Sequence, residues 1–346
     1  MAKVKVGVIG MGRFGELHAA TYKKIDTVEL TAISSRKPEH VNEMAQKYDA
    51  KPYTDYPELL KDPNVDAVSI SVPPGVQREI AVRAMQAGKH VLMEKPIAIT
   101  LEDADAIAKS ARETGVVAMV GYVERFNPSL RRTKALIQNG KIGDVYKVSS
   151  RRASRFGVKP DWVFSQVGMM IHNVGHDLDI LRWMMDDDIS TVYAMGGSYM
   201  RRVPGQPDNL TLLLRFEKGG MGLIENSWTL PSKYSMEEND LYLDIMGTEG
   251  VLKVDNFDQM ISMCNESTGF YHPGILRWPG GIQEDAGLEH YALKDELEHF
   301  IKAVKGEAEA LLKPAEAAYI LRILIAANES ERTGKPVEIR QKEEMW

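Results

Sequence analysis

KVKVGVIGMGRFG, from Lys3 to Gly15, is the stretch from which the architecture follows. Its apolar residues Val4, Val6, Val8 and Ile9 are β-branched, the pattern of a strand buried on both faces. Gly10-x-Gly12-x-x-Gly15 follows with no spacer. Between a strand and a helix, the first glycine makes a tight turn and the second lets backbone approach a pyrophosphate. The third lets the helix pack on the sheet. Phe14, Leu17, His18, Thr21 and Tyr22 supply the helical spacing that this setting needs. The N-terminus of such a helix offers unpaired N–H groups and a partial positive charge to phosphates. A dinucleotide site is expected at Gly10, Gly12 and Gly15.

Further along, Val28 to Ser34 reads as a second strand, ending in Ser34-Ser35-Arg36-Lys37. A cofactor with a free ribose 2′-hydroxyl is usually met at this point by Asp or Glu. Ser35 can instead donate to a 2′-phosphate and Arg36 can pair with it, which favours NADP over NAD. The plainer reading is that Arg36 and Lys37 are solvated residues opening the next helix. That helix starts at Pro38 and runs to about Tyr48. Val65 to Val72 is a buried strand ending in Pro73-Pro74-Gly75, expected to be irregular. A helix closing at Gly88 and a short strand, Val91 to Met93, lead to Glu94-Lys95-Pro96. Thr100 and Asp103 resemble a capping box for a helix ending at Gly115, and Val116 to Gly121 is another strand. Alternating strands and helices imply a parallel sheet with its ligand crevice at the strand C-termini. Residues 1–122 are read as this Rossmann domain.

Beyond Tyr122 the alternation stops. Pro128 to Gln138 reads as a helix and Asp144 to Ser154 as an arginine-rich strand. From Asp208 the period becomes two: Leu210, Leu212, Leu214 and Phe216 share a face, and Leu241, Leu243 and Ile245 repeat the pattern. An antiparallel meander is expected, with one face packed and the other open to solvent or to a second subunit. Met263 to Gly287 has no clear period, and two helices close the chain near Leu288–Val304 and Pro314–Arg332. Residues 123–346 are read as a substrate-binding and oligomerisation domain, and a homodimer or homotetramer is expected.

Composition narrows the classes. The 346 residues exceed one ordinary core. A net charge of −6 gives no reason to expect nucleic acid or an anionic membrane as partner. The single cysteine, Cys264, excludes an intrachain disulfide. The apolar run Ala317 to Ala327 is interrupted by Arg322 and too short to span a bilayer. The chain reads as cytoplasmic.

Gly168 to Trp183, GMMIHNVGHDLDILRW, is an apolar helix pattern interrupted by polar residues. His172, His176 and Asp179 fall on one helical face. Such a set could bind zinc, but no Glu lies between the histidines as in a hydrolytic zinc helix, and no metal is expected. A histidine satisfied within a packed helix is the bland alternative, and Asp177 reads as a solvent-facing or capping carboxylate. Arg151, Arg152, Arg155 and Trp162 could bind the hydroxyls or an acidic group of a substrate, or the arginines could simply face solvent.

Gly10-x-Gly12-x-x-Gly15, Val72-Pro73, Glu94-Lys95-Pro96, Arg125-Phe126-Asn127-Pro128 and His176-Asp177-x-Asp179 occur here in one order and spacing. In this the chain resembles, over essentially its whole length, the glucose-fructose oxidoreductase / inositol dehydrogenase / rhizopine-catabolism (Gfo/Idh/MocA) family. The resemblance implies a Rossmann domain followed by an α/β domain whose large, mostly antiparallel open sheet mediates oligomers. It also implies hydride transfer between a nicotinamide cofactor and a sugar, sugar derivative or cyclitol. The family's catalytic lysine maps onto Lys95, its catalytic histidine onto His176, and the Lys95–Pro96 bond is expected to be cis. Cofactor contacts are expected from Gly10, Gly12, Arg13, Phe14, Gly15, Ser34, Ser35, Arg36, Val72, Pro73, Gln77, Glu94, Lys95 and Arg125. Substrate contacts are expected from Tyr122, Arg155, Trp162, His172 and Asn173. His172 stands where many members carry Asp, so that acid's role has no counterpart here. Two other functions compete: a glycosidase using the nicotinamide transiently, and a non-enzymatic cofactor-binding sensor. The presence of both Lys95 and His176 argues against the sensor.

Overall fold

A computed structural model describes residues 2–339 apart from 158–162, 165–166, 201–205, 234–239, 256–259, 266–268 and 276–289. The chain divides into two compact units, Met1–Phe126 with Glu289–Leu321, and Asn127–Leu288 with Arg322–Trp346. The sequence reading drew a single boundary after residue 122; the contacts instead make each unit from two stretches of chain.

The first unit is a six-stranded parallel sheet in the order β3-β2-β1-β4-β5-β6, a Rossmann arrangement. Its strands are β1 (Val4–Ile9), β2 (Val28–Ser34), β3 (Lys51–Tyr53), β4 (Ala67–Ile70), β5 (His90–Glu94) and β6 (Ala118–Gly121). Helices α1 (Arg13–Tyr22), α2 (Pro38–Tyr48), α3 (Tyr56–Leu60), α4 (Pro74–Gln86) and α5 (Leu101–Thr114) connect them. Central β1 buries Val4, Val6, Val8 and Ile9 on both faces, as parallel strands flanked by helices must. The stops are local: Thr100 Oγ1 accepts from the Asp103 N–H at 3.2 Å, and Gly115 ends α5 with φ +67°. Irregular backbone at Pro73-Pro74-Gly75 is not what forms. Pro73 is extended and Pro74 opens α4, where a missing N–H costs nothing and φ is preset. Short β3 and α3 carried no periodic signal strong enough to read.

α8 (His290–Val304) belongs to this unit. Its Leu293, Leu297, Phe300 and Ile301 join Val4, Val6, Ala19 and Tyr22 in one core.

The second unit carries a nine-stranded sheet in the order β14-β13-β12-β11-β7-β10-β9-β8-β15. Its strands are β7 (Val145–Arg155), β8 (Ile189–Gly197), β9 (Asn209–Phe216), β10 (Met221–Leu230), β11 (Asp240–Gly247), β12 (Gly250–Asp255), β13 (Met260–Asn265), β14 (Gly269–Ile275) and β15 (Val337–Glu338). Pairing is antiparallel except between β7 and β10, which run parallel, so the meander is interrupted. One face buries Leu210, Leu212, Leu214, Phe216, Leu241, Leu243 and Ile245. α6 (Pro128–Gln138), capped by the Asn127 side chain, and α7 (Gly175–Met185) belong to the same unit. The opposite face exposes Met195, Leu213 and Met221 on neighbouring strands. Among the described residues no helix is long and apolar enough to cross a membrane.

Candidate active site

The glycine loop has the shape its spacing implies. Gly10 has φ +95°, and a Cβ there would lie 2.1 Å from the Ser71 carbonyl oxygen. A Cβ on Gly15 would lie 1.7 Å from the Gly10 carbonyl oxygen, so only glycine lets α1 sit this close. At Gly12 a Cβ would meet nothing within 4 Å, and no side chain caps α1 there. The first N–H groups of α1 are thus free of a side-chain cap, beside open space and exposed Arg13 and Phe14. This cradle fits the pyrophosphate of a dinucleotide.

At the end of β2, Ser34 is buried and its carbonyl accepts from the Gly10 N–H at 2.9 Å. Ser35 is half-buried and Arg36 exposed, and no acid occupies positions 34–37. At the end of β4, Val72 is half-buried and Pro73 exposed.

The turn after β5 is held from two sides. The Lys95–Pro96 bond is cis, Lys95 is half-buried and Pro96 buried. Buried Gln77 donates its amide N–H groups to the carbonyls of Glu94 at 2.8 Å, Pro96 at 3.1 Å and Ile97 at 3.0 Å. That side chain shapes the turn from inside. Glu94 Oε1 lies 3.0 Å from Nε2 of His18, whose Nδ1 lies 2.6 Å from Ser69 Oγ. His18 is fully buried, so it links α1, β4 and β5 in the interior. Tyr122 is buried at the end of β6, and Arg125 is half-buried with Nη1 3.5 Å from the Leu311 carbonyl.

In the second unit a π-helical turn, Met170–Val174, runs into α7. From Val167 to Arg182 every residue is buried except His172 and His176. An apolar helix with two half-open imidazoles one turn apart presents polar chemistry only there. Asp179, expected on their face, is fully buried, as is Asn173 almost wholly. His172 sets its ring edge-on to Trp228, centroids 6.0 Å apart. Trp162 lies outside the described residues.

Asp177 is neither solvent-facing nor a cap. It is fully buried, accepts from Arg152 Nε at 3.1 and 3.3 Å, and accepts from Asn226 Nδ2 at 2.8 Å. Arg152 is therefore neither a solvated arginine nor a substrate ligand; it anchors the residue next to His176 onto β7. Arg151 stacks its guanidinium 4.2 Å from the Tyr242 ring centroid, and Arg155 Nη1 donates to the Ser232 carbonyl at 3.0 Å. Among the described residues no group of three or more His, Cys, Asp or Glu is placed to hold a metal ion.

Two residues of weight escaped the sequence reading. His18 gave only a helical spacing, and Glu296 of α8 gave an ordinary acidic position. Glu296 is fully buried.

Two family models match the chain. One, an oxidoreductase family with an NAD-binding Rossmann fold, covers residues 4–122. The other, the C-terminal alpha/beta domain of the same oxidoreductase family, covers 134–339. A myo-inositol 2-dehydrogenase from Thermotoga maritima is 28% identical over 98% of this chain and 99% of its own length. A scyllo-inositol 2-dehydrogenase (NAD(+)) from Bacillus subtilis is 26% identical over 97% of this chain and 96% of its own. A solved structure of a probable dehydrogenase from Thermotoga maritima superposes with a TM-score of 0.85. It is 27% identical and covers 99% of this chain and 100% of that one.

Proposed function

The chain belongs to the Gfo/Idh/MocA oxidoreductase family, and on that premise we propose that it interconverts an alcohol and a ketone on a sugar, sugar derivative or cyclitol, with NADP(H) as preferred cofactor. The observation that carries this reading is the pairing of a glycine cradle with a clamped Glu94-Lys95-Pro96 turn on one sheet edge. The relatives named for inositols support the substrate class. Ser35 and Arg36, in place of an acid, support the 2′-phosphate.

The bound nicotinamide would accept or deliver the hydride. When an alcohol is oxidised, its hydroxyl proton needs a base, and an imidazole is suited to that task near neutrality. His176, half-open where its neighbours from Val174 to Leu178 are buried, takes this role. As charge gathers on the substrate oxygen, the Lys95 ammonium stabilises it by a charge-assisted hydrogen bond and orients the alcohol. His172 offers one donor and one acceptor to a further hydroxyl. The exposed apolar face of the second sheet, with Leu213 at its middle, is where two chains would associate.

The test is kinetic. Lys95→Met should keep cofactor affinity within a few-fold in calorimetry while turnover is nearly lost. His176→Ala should cost about 10²–10⁴ in turnover. His172→Ala should raise KM more than it lowers kcat, and chelators should leave activity intact. Collapse of cofactor binding in folded Lys95→Met would make Lys95 a cofactor ligand and defeat the assignment.

A further inference from the structure

Glu296 is the most anomalous side chain of the first unit. It is fully buried, and neither carboxyl oxygen has a hydrogen-bond partner among the described residues. Such a group costs free energy, and far more when ionised than when neutral. Its Oε1 lies 3.6 Å from the point where a Cβ on Gly121 would sit, and Glu94 Oε1 lies 3.2 Å from the same point. Two carboxyl groups therefore converge on the one residue that has no side chain. Glu94 has His18 at 3.0 Å and partial access to solvent; Glu296 has neither.

We propose that Glu296 is a positioning residue for the Glu94–Lys95 turn: a carboxylic acid that keeps its proton and directs its O–H toward Glu94 beside Gly121, adding no second negative charge there. This rests on the reading of Lys95 as the residue that stabilises the substrate oxygen. A fully buried carboxyl group with another carboxyl nearby is driven by burial, and by that neighbour, to hold its proton. The ionisable groups near Glu296 on the elements that contact α8 include His18 and Tyr22 on α1 and Glu124 and Arg125 after β6, with Glu94 on β5; α8 itself carries Lys294, Asp295, Glu298, His299 and Lys302. Burial, and after it the charge of Glu94, holds the Glu296 carboxyl well above the usual range. A glutamate is suited to this place because its neutral form donates where leucine could not. A second negative charge would repel Glu94 from His18 and loosen the turn.

The experiment combines infrared spectroscopy, stability and kinetics on the full-length protein. The wild type should show the carbonyl stretch of a protonated carboxylic acid at neutral pH, shifted in deuterium oxide and missing from Glu296→Gln. Below pH 4.5 folded and unfolded chains both hold this proton; above it the unfolded chain releases it and the folded chain does not. Wild-type stability should therefore fall relative to Glu296→Gln as pH rises from there. Glu296→Leu should lower turnover on the order of tenfold, the worth of one misplaced hydrogen bond, and Gln should recover most of it. A missing band, a band that survives in Glu296→Gln, or equal turnover in the Leu and Gln variants would overturn the assignment. The band is read without substrate. If Lys95→Met keeps its turnover, the functional reading fails while the proton on Glu296 stands.

Discussion

Nε2 of His18 lies 3.0 Å from Oε1 of Glu94, so the helix that opens at the glycine loop and the turn that carries Lys95 share a part-buried side-chain bond. Nδ1 of the same ring meets Ser69 at 2.6 Å, which occupies both ring nitrogens. The phosphate cradle and the turn after β5 are thereby held in one frame.

His18→Leu should strip buried Ser69 and partly buried Glu94 of this partner. A buried polar group left unsatisfied costs about 1–3 kcal/mol. Urea denaturation should show a loss of that order, with turnover falling further than cofactor affinity. An unchanged midpoint would mean that the ring merely fills space.

The Arg152–Asp177 pair predicts a different signature in the second unit. Both side chains are buried, and Asn226 also donates to the carboxylate. Asp177→Leu alone should cost about 3–5 kcal/mol, since a guanidinium stays buried without this carboxylate. Replacing both members, as Arg152→Met with Asp177→Leu, should recover much of that loss in the same denaturation. Additive losses would count against a mutual role.

Cofactor choice is testable at β2. Arg36→Ala should weaken NADP(H) on the order of tenfold, about 1.4 kcal/mol, and leave NAD(H) unchanged. Calorimetry on the wild type should find NADP(H) tighter by at least that ratio. Equal affinities would reduce Arg36 to a solvated residue opening α2.

Leu213 tests the open sheet face. It is 54% exposed and pairs with Tyr193 on β8 and Leu223 on β10. Light scattering on the wild type should give at least twice the mass of one chain at micromolar concentration, and Leu213→Glu should lower it. A single-chain mass for the wild type would leave this face without a partner of its own kind.

What could be read from the sequence follows the range of the forces involved. β1, Gly10, Gly12 and Gly15 were legible because strand burial, turn sterics and helix starts are decided by neighbours a few residues apart. The same holds for α2 opening at Pro38, for α5 between Thr100 and Gly115, and for the alternating leucines of β9. Pro74 was misjudged because Pro-Pro-Gly looks like a break until a helix start is seen to use it.

The sequence by itself determined the Rossmann half, the change of pattern near Tyr122 and the residue types available for hydride and proton transfer. Tertiary structure alone decided which charges are buried and with whom. Asp177 looked like a surface carboxylate until Arg152 and Asn226 closed on it from β7 and β10. Glu296 looked like one acid among several on α8 until that helix joined the first unit and set it opposite Glu94 across Gly121. The parallel run of β10 beside β7 likewise depends on pairing between distant segments. Periodicity reports which face of an element is apolar, but a buried charge is defined by partners far along the chain, and their meeting is a property of the fold.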